Sequence, residues 1–151
     1  MKNSPAPKDL KKIFLASDHA GYLLKEFLIK KLVKLGYSPV DLGCNSSEES
    51  VDYPDYAQKL SKEINEENCG ILICGSGIGI SIAANRFKNV RAALCSEVKA
   101  AKLARAHNNA NVLCLGARFV GDQKAMRIVK AFLESEFEGG RHVRRVEKLT
   151  Q

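Results

Sequence analysis

Residues 70–79, Gly-Ile-Leu-Ile-Cys-Gly-Ser-Gly-Ile-Gly, constrain the fold more than any other stretch. Ile71–Ile73 is a short continuous apolar run, the pattern of a parallel strand covered on both faces. Gly75, Gly77 and Gly79 follow and free the backbone to turn sharply and approach a ligand. Ile80–Ala84 then reads as the first turns of a helix, whose N–H groups suit an anion or a developing oxyanion. Cys74 stands at the hinge, where a thiol can become acidic. The loop is either a phosphate cradle or a catalytic centre.

Around it the chain alternates. Strands are expected at Ile13–Ser17, Ser38–Leu42, Gly70–Cys74, Val90–Cys95 and Val112–Gly116. Helices are expected at Tyr22–Leu35, at Tyr56–Asn65 with Pro54 at its start, in a short piece after the loop, and at Glu97–His107, Asp122–Glu134 and His142–Thr150. In Tyr22–Leu35, Leu24, Phe27, Leu28, Leu32 and Leu35 form the inward stripe, with Lys25, Lys30, Lys31 and Lys34 outside it. In the last helix, Val143, Val146 and either Leu149 or Thr150 are expected to face protein. Such alternation predicts a three-layer α/β/α sandwich with a five-stranded parallel Rossmann-like sheet and a C-terminal helix. Ligands of these sheets bind beyond the carboxyl ends of the strands. Those ends carry Ser17-Asp18-His19, Cys74-Gly75-Ser76, Cys95-Ser96-Glu97 and Gly116-Ala117-Arg118.

At 151 residues the chain fits a single domain over 12–151, with residues 1–11 as a loose tail. No apolar run approaches the roughly 18 residues that span a bilayer, and no apolar segment follows Lys2 as in a signal peptide. The five cysteines are odd in number and include no C-x-x-C pair, so reduced cytoplasmic thiols are expected, with neither a disulfide framework nor a zinc site. The three histidines show no ligand spacing, which speaks against a transition metal. A net charge of +7 raises nucleic acid as a partner, but no basic stripe with interleaved aromatics is present. The dense Arg141, Arg144, Arg145 cluster suits phosphate instead.

Each motif has a plain structural alternative. Gly75–Gly79 invites a dinucleotide reading, with Glu97 about 20 residues downstream as the ribose acid. Position 80 is isoleucine where the third glycine belongs, however, and the loop follows the third strand. Cys74 as an ordinary buried thiol competes with Cys74 as a reactive one. Asp18 could cap the first long helix. His107-Asn108-Asn109 reads equally as a cation and asparagine cap closing a helix. Arg141 and Arg145, at i and i+4, could form a solvated face.

Six motifs occur together and in order: Ser17-Asp-His-Ala-Gly21, Asp52-Tyr-Pro-Asp-Tyr56, Ile73-Cys-Gly-Ser-Gly-Ile-Gly-Ile-Ser81, Arg105-Ala-His-Asn108, Asn111-Val-Leu and Gly139-Gly-Arg-His-Val-Arg-Arg145. Over about residues 12–149 the chain resembles the type B ribose-5-phosphate isomerases, in the family that also holds galactose-6-phosphate isomerase subunits. The resemblance implies aldose–ketose isomerisation of a phosphorylated sugar without metal or cofactor. It implies that Cys74 moves the proton between C1 and C2, there being no carboxylate in Gly79-Ile80-Ser81 where some members carry glutamate. Gly75, Gly77, Ile78 and Gly79 would belong to the loop holding the enediolate oxygen, and Ser76 would assist proton movement. His107 would open the furanose ring. Asp18 and Tyr53 would lie near the ring. His19, Arg118, Arg141 and Arg145 would hold phosphate or substrate, and Asn108 would contact substrate. The family is dimeric or tetrameric, with sites shared between subunits, so Arg141 and Arg145 could reach a neighbour. A hexose 6-phosphate isomerase and a non-catalytic phosphosugar-binding module are the competing functions.

Overall fold

The computed structural model describes residues 12–150; the expected N-terminal tail lies outside the described residues. Five strands, β1 (Lys12–Ser17), β2 (Pro39–Asp41), β3 (Asn68–Cys74), β4 (Ala92–Leu94) and β5 (Val112–Gly116), form one sheet in the order β2-β1-β3-β5-β4. Every pairing is parallel. Six α-helices connect or follow them: α1 (Tyr22–Lys34), α2 (Tyr53–Ser61), α3 (Ile78–Ala84), α4 (Val98–Asn108), α5 (Asp122–Glu134) and α6 (His142–Lys148). The three-layer sandwich expected from the alternation is the fold observed. The edge strands β2 and β4 keep three residues each, fewer than their apolar runs suggest. Each has one partner strand, so the ladder ends where the single neighbour leaves it.

Two cores follow from the two-residue period of a strand. Ile13 and Leu15 of β1, Ile71 and Ile73 of β3, and Leu113 and Leu115 of β5 face one layer, with Leu28 and Leu32 of α1, Ala101 of α4 and Phe132 of α5. Phe14, Ala16, Leu72, Cys74 and Cys114 face the other, against Ala57 and Leu60 of α2 and Ile80 and Ala84 of α3. Cys74 is thus aimed at the α2/α3 side, at the carboxyl end of the central strand. Truncating a fully buried leucine in either layer, such as Leu28→Ala, costs about 2–5 kcal/mol.

Three helix-face assignments change. Lys25 is not on the solvent face of α1: its side chain is fully buried, with Nζ 2.8 Å from Asp41 Oδ1 and 3.1 Å from Glu26 Oε2. Asp41 belongs to β2, so a tertiary ion pair overrides the local charge pattern; the same Asp41 oxygen accepts from the Gly43 N–H at 2.9 Å. In α6 the buried residue is His142, while Val143 and Leu149 are exposed. Leu35 also lies outside the buried set of α1, which is Leu24, Lys25, Leu28 and Leu32.

Candidate active site

The carboxyl ends of β1, β3 and β5 meet as the topology rule requires. The Asp18 N–H donates to Ile73 O, and the Ala117 and Arg118 N–H groups donate to Cys74 O and Gly75 O. These bonds fix the three strand-end loops against one another. Cys74 is buried, and its Sγ accepts the Gly77 N–H at 3.2 Å. Gly77 sits in the left-handed region (φ 80°), and a Cβ there would meet Leu94 at 2.5 Å and the Leu115 carbonyl carbon at 2.8 Å. Both conformation and space demand glycine. The turn then delivers the Ile78 N–H to Ser76 Oγ at 3.1 Å. α3 begins there and runs only two turns.

The remaining carboxyl-end residues surround this loop. The Arg118 guanidinium lies across Gly75, where a Cβ would be 2.6 Å from Nη1, so the absent side chain is what lets the cation close on the loop. Tyr53, first residue of α2, places its ring and hydroxyl against Gly79. Asp18 is buried and accepts the Gly21 N–H at 3.1 Å. It caps the short 3-10 turn His19–Gly21, and α1 itself has Gly21 at its cap, so the long-helix capping expected of Asp18 is displaced by one turn. His19 Nδ1 accepts the Val51 N–H at 3.1 Å. The neutral ring is therefore the Nε2–H tautomer, with that donor free to face a ligand. Val51 was not among the residues expected at the site. Its contribution is a main-chain N–H, which side-chain chemistry cannot signal.

His107, Asn108, Arg141 and Arg145 are elsewhere. Gly70 pairs with Val112 at the amino end of β3, and Cys74 pairs with Gly116 at its carboxyl end. Four strand steps separate them, about 13 Å. α4 starts after β4 and returns to the amino end, where Asn109 closes it in the left-handed conformation (φ 47°). That closure is the asparagine cap expected at this point. Arg105 holds it, donating to Asn109 Oδ1 at 2.9 Å and Ala110 O at 2.6 Å. His107 stacks on His142 with ring centroids 4.3 Å apart. Arg141 caps α6 beside it, and Arg141, Arg145 and Asn108 are exposed. One chain therefore carries two groups of expected site residues, at opposite ends of the sheet.

Burial pushes the Cys95 thiol up to about 11; Cys114, wholly buried with Cys74 and Cys95 near, is pushed further up. Burial, with His107 and Arg141 adding positive charge, holds His142 below the usual imidazole range, and Glu138 opposes that shift. All five cysteines are free and buried. A depression of about 380 Å³ beside the loop is bordered by Ser76, Ile78, Glu97 and Lys124. A larger hollow, about 560 Å³, lies at the amino end against Arg86, Arg91 and Asn108.

A thiol, a glycine turn and an arginine at the carboxyl ends of a parallel sheet define a small α/β protein equipped for an anionic ligand. The family model described as ribose/galactose isomerase matches residues 13–149. Ribose-5-phosphate isomerase B of Escherichia coli K12 is 48% identical over 143 residues, 93% of this chain and 95% of that protein. The ribose 5-phosphate isomerase B structure from Anaplasma phagocytophilum superposes with a TM-score of 0.90 at 51% identity, covering 93% and 97% of the two chains. The Mycoplasma genitalium ribose-5-phosphate isomerase B structure, with bound ribulose 5-phosphate, does so at 0.86 and 48%, covering 92% and 93%. This chain belongs to the ribose/galactose isomerase family.

Proposed function

We propose that this protein interconverts ribose 5-phosphate and ribulose 5-phosphate, with Cys74 as the base that moves a proton between C1 and C2. The observation that carries the reading is the carboxyl-end arrangement itself. Cys74 Sγ lies 3.2 Å from the Gly77 nitrogen, within a loop crossed by the Arg118 guanidinium. A carbon acid α to a carbonyl needs a base on one side and donors for the oxyanion that forms. The thiol supplies the first and the Gly75–Gly79 backbone the second. Ser76 Oγ assists proton movement between the two oxygens. Arg118 and the Nε2–H of His19 hold the substrate's anionic end, and Asp18 and Tyr53 order its hydroxyls. Binding energy from the non-reacting phosphate positions the reacting carbons.

Ring opening falls to His107, with Asn108, Arg141 and Arg145 as further substrate contacts. Since these stand at the far end of the sheet in their own chain, the complete site is formed by two copies, each giving one half. The assembly is a homodimer or a tetramer of such pairs. Among the described residues no helix is long and apolar enough to cross a membrane. The five free thiols fit a reducing, cytoplasmic setting.

The test is turnover of ribose 5-phosphate in chelator-treated buffer, with galactose and allose 6-phosphates in parallel. Rapid pentose conversion is the expected result. Conversion of a hexose phosphate alone would transfer the mechanism to the six-carbon substrate. Binding of all three without turnover would make the protein a phosphosugar-binding module.

A further inference from the structure

Three successive residues of α4 each hold one point of the chain that follows α5. Arg105 Nε donates to Ser135 O at 3.3 Å, where α5 ends. Ala106 O accepts the Glu138 N–H at 3.0 Å. The His107 ring stacks on that of His142, the first residue of α6. Between the second and third points, Gly139 and Gly140 (φ 71° and 55°) turn the chain. The stretch 135–142 is thereby laid along the end of α4, and it brings Arg141 to the same end of the sheet as His107.

Arg105 also grips the end of its own helix. Its Nη1 donates to Asn109 Oδ1 at 2.9 Å and to Ala110 O at 2.6 Å. Its guanidinium carbon lies 5.8 Å from the centre of the Phe132 ring in α5. A planar fork of N–H donors serves acceptors on two segments at once, which the single ammonium of a lysine does not reproduce. Arg91 Nε donates to Asn109 O at 2.8 Å, so the helix cap has a second holder. What Arg105 adds is the tie between that cap and Ser135. We infer that Arg105 is a positioning residue for the projecting half of the substrate site. By joining the end of α4 to the start of the 135–142 stretch, it fixes His107 and Arg141 relative to each other. The inference rests on the roles proposed above for His107 and Arg141. A displacement of about 1 Å at such groups costs up to about 10²-fold in rate.

Arg105→Met keeps an apolar stem against Phe132 and removes every donor; Arg105→Lys keeps the charge. Hydrogen exchange reads the positioning without substrate. In Arg105→Met, amides of 135–143 should exchange about tenfold faster, the worth of a lost charge-assisted bond. The Ala117 and Arg118 amides, bonded to the Cys74 and Gly75 carbonyls, should not change. Turnover of ribose 5-phosphate should fall about 10–100-fold, and lysine should restore only part of it. Subunit mixing separates this from general damage to the fold. Refolded with Cys74→Ser, Arg105→Met should regain activity, because the Cys74→Ser copy supplies a well-placed His107. Refolded with His107→Asn, it should not. Cys74→Ser mixed with His107→Asn is the control. Silence there overturns the shared site and leaves exchange and turnover to decide on Arg105. Unchanged exchange at 135–143, undiminished turnover, full rescue by lysine, or no recovery with Cys74→Ser while the control recovers would each overturn the inference. Should Arg105→Met fail to fold, Arg105→Lys carries the same comparisons.

Discussion

At the carboxyl end of the sheet, Cys74, Ser76 and Arg118 are held by main-chain bonds among three strand-end loops, and the thiol is buried. At the amino end, His107, Asn108, Arg141 and Arg145 stand on a helix terminus and beyond a two-glycine turn, mostly exposed. The first region is finished within one chain. The second offers its groups outward. For the reaction proposed above, which needs a base, oxyanion donors, a phosphate anchor and a ring-opening group together, this division would give carbon chemistry to the rigid end and ring opening, with further substrate contacts, to the projecting one. On that reading a contact between copies is part of the machinery.

Mixing experiments test that division most severely. Cys74→Ser and His107→Asn should each lose about 10²–10⁴ of turnover, the usual worth of a general acid or base. If every site takes its thiol from one copy and its imidazole from another, a mixed dimer of the two variants holds one intact site. Refolding an equal mixture then recovers about a quarter of the wild-type activity, since half the dimers are mixed and half their sites intact. No recovery would place both groups in the same chain's site and break the comparison.

A smaller effect separates the anchors. Arg118→Ala and Arg141→Ala should each weaken substrate or inorganic phosphate binding by about 10–100-fold, from a charge-assisted contact of about 1.5–3 kcal/mol. The losses should fall on KM more than on kcat. Arg118 crosses Gly75 in its own chain, whereas on the two-copy reading Arg141 comes from a second copy. Dilution of the oligomer should therefore cost Arg118→Ala, which still relies on that Arg141, more affinity than Arg141→Ala, which has already lost it. Equal behaviour on dilution would remove Arg141 from the shared site.

The legibility of the chain follows the same line. Apolar runs, glycines and the carboxyl-end rule located Cys74, Ser76, His19 and Arg118, because strand direction alone fixes where those residues emerge. The same rule is silent on where a returning helix ends, and His107 and Asn108 lie there. The burial of Lys25 and of His142 departs from helical periodicity for another reason. One is paired with Asp41 and the other stacked on His107, and neither partner is a helical neighbour. Burial created by tertiary pairing leaves no trace in local periodicity. The short edge strands β2 and β4 were overextended because an apolar run does not say how many partners it has.

The smallest expected effect sharpens the comparison inside the rigid end. Cys74, Cys95 and Cys114 are electrostatic neighbours, so sequence position alone does not make Cys74 the reactive thiol. Burial disfavours the charged thiolate, which raises the proton affinity of the other two; with Cys95 at about 11, only about 10⁻³ of it is ionised at pH 8. Cys114 is raised further and is wholly inaccessible. Iodoacetamide at pH 8 should therefore leave Cys95 and Cys114 essentially unmodified over the time in which Cys74 reacts, and a phosphosugar should protect Cys74 alone. Peptide mass spectrometry checks this residue by residue. Labelling of Cys95 or Cys114 at the rate of Cys74 would mean that the carboxyl end opens far enough to admit solvent, and a base working there would no longer be shielded by the strand-end loops that set this region apart.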